Sequence, residues 1–196
     1  KNNLRFFIDF DGTVTTQDAV DLVLERFATE EWKVIEKEWS TGKIGSRECL
    51  TRQMALVSAT QAEIQTLAAS IRVDTGFVSF LRTLRSFSIP AVIVSDGFDV
   101  IIQAVLRSVL HEEPTILKTF HVYSNRLSWV GERKIKPFFL TSSGACKHGC
   151  ANCKVRVMEK IKSDKDQVVF VGDGLSDRFA AAESHVVFAK KSLLQF

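Results

Sequence analysis

The sequence predicts an α/β fold: a doubly wound, mostly parallel sheet with a small helical cap inserted after the first strand. Three observations carry this prediction. Short apolar runs rich in Val, Ile and Phe recur at residues 5–9, 89–94, 167–171 and 185–189, and runs of this kind read as strands covered on both faces. Helical periods fill most of the intervals, and strands that alternate with helices imply a parallel sheet. The interval between the first and second runs is far longer than one crossover helix needs and contains no convincing strand.

Residues 5–9 (RFFID) enter the Asp11-Gly12 pair, a strand closing on a turn. Four amphipathic segments follow at 18–27, 30–39, 46–57 and 62–71, the last behind an N-cap at Thr60. The expected division is therefore an α/β core of residues 1–15 and 75–196 and a helical cap of 16–74. Within the core, helix 77–87 places Phe77, Phe80, Leu81 and Leu84 on one face and leads to strand 89–94 and helix 98–110. Residues 120–123 form a weaker strand candidate, and Ser124-Asn125 and Gly131 beyond it predict a hairpin or flap. Helix 154–161, strand 167–171, helix 177–182 and strand 185–189 complete the alternation.

The 196 residues, 45% of them hydrophobic, suffice for one domain carrying a modest insertion. A net charge of +3, with 26 basic and 23 acidic residues mixed along the chain, argues against a nucleic-acid arm or a membrane-surface patch. The apolar runs are too short to span a bilayer, and no signal-like stretch opens the chain. These features lead us to expect a cytoplasmic protein whose partner is a small molecule. They say nothing of oligomeric state.

Asp9-Phe10-Asp11-Gly12-Thr13 lies at the carboxyl end of the first strand, where ligands collect in open α/β sheets. Residues i and i+2 of an extended chain point the same way, so Asp9 and Asp11 face one crevice. Two such carboxylates repel unless a cation lies near them, and Mg2+ favours oxygen ligands. With Mg2+ present, Asp9 can attack phosphorus while Asp11 hands a proton to the leaving oxygen. Gly12 lets the backbone turn sharply beside a phosphate. At the second strand's end, Ser95-Asp96-Gly97 offers a hydroxyl and backbone N–H groups before a helix, an anion site. Ser95 as a simple helix cap is the plainer alternative. Gly172-Asp173-Gly174-Leu175-Ser176-Asp177 supplies a metal-ligand candidate in Asp173, with Asp177 as its support or an N-cap. Lys154 opens a helix and can neutralise the crowded charge.

In order and type these elements resemble the DxDGT, Ser, Lys and GDxxxD motifs of the haloacid dehalogenase superfamily of phosphatases. The resemblance implies Asp9 as nucleophile, Asp11 as general acid and then base, and Ser95 and Lys154 as phosphate ligands. It implies Asp9, Asp173 and the Asp11 carbonyl as magnesium ligands. The inserted helices and Val94-Ser95-Asp96-Gly97-Phe98-Asp99 resemble the subgroup that contains phosphoserine phosphatase, with Asp96 in place of a glycine. Where those enzymes present a cap glutamate nine positions after the nucleophile, this chain has the shorter Asp18. Asp18, Arg52 and the loop Cys146-Lys147-His148-Gly149-Cys150-Ala151-Asn152-Cys153-Lys154 resemble the methionine-salvage phosphatases of 2-hydroxy-3-keto-5-methylthiopentenyl-1-phosphate.

Arg52, if it faces the crevice, would pair with an enolate or carboxylate oxygen, and Met54, Leu56 and Phe27 would bury a thioether tail or else form plain core. The cysteine loop permits three readings: a zinc site, a disulfide, or thiols that pack the loop and place Lys154. Trp32, Trp39 and the fifteen phenylalanines read as core rather than as a cofactor cage, and His111, His121 and His185 as structural or surface residues. Three functional alternatives stand beside the metabolite phosphatase. A phosphotransferase or mutase would use the same intermediate. A non-catalytic binder would not need both first-motif carboxylates, and a dehalogenase would not need Asp11.

Overall fold

The computed structural model describes residues 3–141 and 148–196. Its centre is β1 (Asn3–Ile8), whose side chains alternate between two apolar layers. Phe6 and Ile8 join the larger core cluster, while Phe7 points the other way into a cluster with Val92, Val168 and Phe170. Burying both faces is what the unbroken apolar run predicts, and each enclosed phenylalanine contributes about 1.5–3 kcal/mol.

Four helices follow, α1 (Ala19–Phe27), α2 (Trp32–Ser40), α3 (Ser46–Ala55) and α4 (Gln61–Ala69). Asp18 caps α1 through its carboxylate, and Thr60 with Glu63 forms a capping box on α4. α4 leans back onto the core, where the Ser108 hydroxyl donates to the Ala69 carbonyl at 3.0 Å. The two chain crossings beneath these helices pair with each other: Asp74 N–H donates to Val14 at 2.8 Å and Thr16 N–H to Arg72 at 3.0 Å. Cap residues Val23, Leu24, Leu50 and Met54 share one apolar cluster with Phe10 and Phe98 of the core.

Helix α5 (Phe77–Ser86) leads into β2 (Ala91–Phe98), α6 (Asp99–Val109) and the short α7 (Pro114–Thr119), whose proline sits at the start, where no N–H is needed. The weaker strand candidate is the long β3 (His121–Val130), which turns through Gly131 at φ +71° into antiparallel β4 (Lys134–Phe138). The expected hairpin is thus present. Ser124 and Asn125 lie inside β3 rather than breaking it, because the Asn125 amide donates to the Asp96 carbonyl of β2 at 2.7 Å. After α8 (Lys154–Ile161) come β5 (Asp166–Gly172), α9 (Arg178–Ala182) and β6 (Val186–Ala189). The sheet order is β4-β3-β2-β1-β5-β6, parallel except at β4. The three strands bearing the motifs, β2, β1 and β5, are adjacent at its centre, and their carboxyl ends share one edge.

Candidate active site

Asp9 leaves β1 with its N–H bonded to the Val171 carbonyl of β5 at 2.8 Å, which fixes it at the strand's end. Its side chain is almost fully buried, and Lys154 Nζ donates to Asp9 Oδ1 at 2.6 Å. The same ammonium donates to Asp177 Oδ1 at 2.5 Å and to the Ser176 hydroxyl at 3.3 Å. Burial alone would depress the Lys154 pKa, but Asp177 and Asp9 outweigh it and hold the ammonium's pKa raised. Burial, with the Asp177 charge behind it, pushes the Asp9 carboxyl well up despite Lys154. An ionised Asp9 is therefore disfavoured there unless a further cation offsets the burial and the Asp177 charge.

Asp11 is anchored from both sides. Its Oδ1 accepts the Ala19 N–H at the start of α1 at 2.9 Å, and its Oδ2 accepts the Ser95 hydroxyl at 3.3 Å. Burial, and next Asp18, raise its pKa well above that of an ordinary carboxylate. Ser95 is held where β2 departs from regular pairing: the register with β3 shifts between Val94 and Phe98. Bulged segments re-aim side chains, and here Ser95 Oγ accepts the Gly97 N–H at 2.9 Å. A Cβ on Gly97 would stand 2.6 Å from Asp11 Oδ2, so only glycine leaves that carboxylate in place.

The third strand end closes the site. Asp177 is fully buried, and its Oδ2 accepts the N–H groups of Asp173 and Gly174 at 2.9 and 3.1 Å. With Lys154 on its other oxygen, it braces the loop that presents Asp173. Asp173 accepts from the Thr13 hydroxyl at 3.4 Å and from Lys191 Nζ at 2.9 Å. Gly12, at φ +71°, lies against it: a Cβ there would meet Asp173 Oδ2 at 2.1 Å. Among the described residues, Asp9, Asp173 and Asp177 each offer an oxygen within 4.8 Å of the others. An all-carboxylate set of this kind fits a hard divalent cation.

These groups open into a cavity of about 170 Å3. Its core wall includes Asp9, Asp11, Gly12, Asp96, Gly97 and Asp173, and its cap wall includes Asp18, Asp21, Glu36, Trp39, Cys49 and Gln53. The structure thus brings Asp9, Asp11, Ser95, Lys154, Asp173 and Asp177 together and places Asp18 at the rim of the same space. It does not bring Arg52 there. That guanidinium pairs with Glu38 at 2.5 Å and Glu48 at 3.4 Å, and Arg52 is not among the residues that line the cavity. Met54, Leu56 and Phe27 belong to the apolar core instead. Trp39, expected as core, lines the cavity, whereas Trp32 is buried.

Sequence reasoning missed Asp21, Glu36, Gln53 and Lys191. It also missed Asn152, whose amide donates to the carbonyls of Ser95 and Tyr123 at 2.8 and 2.9 Å and so ties the loop before Lys154 to β2. The cysteine-loop readings fall partly on Cys146, which lies outside the described residues. His148 stacks on Phe179 with ring centroids 4.0 Å apart. No helix of the described residues is long and apolar enough to cross a membrane.

The family model for haloacid dehalogenase-like hydrolases matches residues 6–182. A 2-hydroxy-3-keto-5-methylthiopentenyl-1-phosphate phosphatase of Lysinibacillus sphaericus is 31% identical over 202 residues, covering 96% of this chain and 82% of that protein. One of the same name from Geobacillus kaustophilus is 27% identical, covering 98% and 85%. Among solved structures, a phospho-aspartyl intermediate analogue of phosphoserine phosphatase superposes with a TM-score of 0.73 at 21% identity, covering all of this chain and 90% of that one. That likeness concerns the fold, which is the same α/β core with inserted helices. Family match, relatives and fold agree: the chain belongs to the haloacid dehalogenase-like hydrolase family, among its phosphatases.

Proposed function

We propose that the chain hydrolyses a small phosphomonoester with Mg2+ as its metal and an aspartyl-phosphate on Asp9 as its intermediate. The observation that carries this reading is the buried Asp9–Lys154 contact beside Asp173, with Asp11 held one step away between Ala19 and Ser95. A carboxylate oxygen of Asp9 attacks phosphorus, and the bond to the ester oxygen breaks as the new one forms. Asp11 gives its proton to the departing oxygen. It then takes one from the water that cleaves the aspartyl-phosphate, which frees phosphate and restores Asp9. A raised pKa suits a group that must begin protonated.

Lys154 and Ser95 hold phosphoryl oxygens in this reading, and Gly12, Asp96 and Gly97 shape the backbone around them. Asp9, Asp173 and the Asp11 carbonyl would hold Mg2+, which supplies neutralisation of the phosphoryl charge. Asp177 orients the loop. The enol phosphate for which the relatives are named is the first substrate to test, ahead of phosphoserine, since Asp18 is shorter than a glutamate and no arginine among the described residues lines the cavity to meet a carboxylate.

Phosphate release from p-nitrophenyl phosphate and from that enol phosphate, with Mg2+ or with chelator, tests the proposal. Chelation should silence the enzyme reversibly, and Asp9→Asn should lower kcat by about 10⁴-fold while the protein stays folded. Retention of more than about one hundredth of the rate in Asp9→Asn would favour direct attack by water, since removal of a covalent nucleophile costs far more.

A further inference from the structure

The charged groups on the cap wall of the cavity are all carboxylates, set among Val20, Trp39, Cys49 and Leu50. Asp18, Asp21 and Glu36 bring three carboxylates from α1, its cap and α2. Gln53 of α3 is 1% exposed, and its amide nitrogen is spent on Glu36 Oε2 at 2.9 Å. The remaining polar groups are engaged: Ser46 Oγ accepts the Ala151 N–H at 2.8 Å, and the Cys49 thiol lies 3.8 Å from Glu36. Among the described residues, Lys191 is the single basic side chain that lines the cavity, and it belongs to the segment after β6 and meets Asp173. Arg52 is turned outward to Glu38.

From this wall we infer that the enzyme selects its leaving group by charge: the cap admits neutral or cationic groups that donate hydrogen bonds and rejects a leaving group that bears a carboxylate, with Asp21 and Glu36 as the specificity-determining residues. This inference rests on the phosphatase reading above, because it assigns one wall of the same cavity to the part of the ester that departs. The physical reason is twofold. A carboxylate placed there would add negative charge beside Asp18, Asp21 and Glu36, where burial already holds each carboxyl above its ordinary pKa and ionisation is disfavoured. A hydroxyl or ammonium would instead donate to these oxygens and add no negative charge. Trp39 adds an aromatic face that tolerates a cation.

Two substrate pairs isolate the effect. O-phosphoethanolamine differs from O-phosphoserine by one carboxylate, and glycerol 3-phosphate differs from 3-phosphoglycerate by a hydroxymethyl group in its place. With Mg2+, kcat/KM should favour the carboxylate-free member of each pair by at least about tenfold. In Glu36→Gln, and in Asp21→Asn assayed above pH 8 where Asp21 is ionised, that ratio should shrink by about threefold to tenfold, and further in the double variant. The ratio within a pair is the readout because a merely structural loss would lower both members together. Equal use of both members by the native enzyme, or ratios unmoved in folded variants, would overturn the inference. Hydrolysis of p-nitrophenyl phosphate separates the two readings: its absence with Mg2+ sinks the phosphatase proposal, and its presence without discrimination sinks only this one.

Discussion

The two walls of the cavity manage negative charge in opposite ways. On the core wall every carboxylate has a dedicated donor: Lys154 for Asp9 and Asp177, Ala19 N–H and Ser95 for Asp11, Asn152 N–H for Asp96, and Lys191 for Asp173. On the cap wall Asp21 pairs with no cation among the described residues and is pushed up to about 8, by burial first and then by Asp18, Glu36 and Glu25. The core wall thus holds its carboxylates against cations and N–H donors, whereas burial and its acidic neighbours hold Asp21 on the cap wall toward its protonated form. The contrast fits a division between a fixed chemistry and an adjustable selectivity.

The most severe way to break the contrast is to remove the cation of the core wall. Lys154→Met should destabilise the protein by about 3–5 kcal/mol, since Asp9 and Asp177 would remain buried without their partner. Phosphate release should fall by about 10²–10³-fold in the fraction that folds. Denaturant titration in chelator, followed by turnover in Mg2+, checks both. Nearly normal turnover would remove Lys154 from the chemistry.

A smaller intrusion tests whether the core wall depends on position as well as charge. In Gly97→Ala the new methyl would lie 2.6 Å from Asp11 Oδ2 and 3.0 Å from Ser95 Oγ, so the carboxylate must move. We expect kcat to drop by about 10²-fold, the usual penalty for misplacing a reacting group by an ångström, with little change in Tm. A loss under about threefold would mean that Asp11 works from more than one position.

The same contrast explains what the sequence made legible. Asp9 and Asp11 are two residues apart at the end of an apolar run, so strand geometry alone aims both at one crevice. Ser95 and Asp173 follow the same logic at neighbouring strand ends. The cap wall has no local signature. Asp21, Glu36 and Gln53 stand on three different helices, and each reads in sequence as an ordinary polar helix residue until packing turns them toward one another. Arg52 misled for the matching reason: helix α3 places it on the outer side, where Glu38 and Glu48 claim it. Lys191 was invisible because it reaches Asp173 from a backbone at φ +45°, a conformation uncommon outside glycine. Proximity through tertiary packing left no spacing to read.

Stability against pH sharpens the comparison from the cap side. A carboxyl whose folded pKa is raised to about 8 binds a proton in the native state that the unfolded chain has already released above about 4. Its contribution to stability is therefore present below pH 4 and is lost as pH climbs through 8. Asp18, Glu36 and Glu25 face the group, and the Cys49 thiol beside Glu36 is itself pushed up, first by burial. Asp21→Asn should match the wild type near pH 4 and exceed it in Tm by a few degrees at pH 8.5, with the gap opening between. A gap that stays constant with pH would show that Asp21 ionises freely.

The smallest effect is expected where sequence reasoning had looked for substrate contact. Arg52 sits outside the cavity in an exposed cluster with Glu38 and Glu48. Exposed ion pairs gain little, because water screens the attraction and two long side chains must be held still. Arg52→Ala should therefore leave kcat/KM within about twofold for every member of the substrate pairs, and raising the salt concentration should erase any residual difference. A selective loss toward esters carrying a carboxylate would instead place the guanidinium in the crevice during turnover. The cap wall would then be balanced by a mobile arginine, and the charge asymmetry between the two walls would belong to the resting enzyme alone.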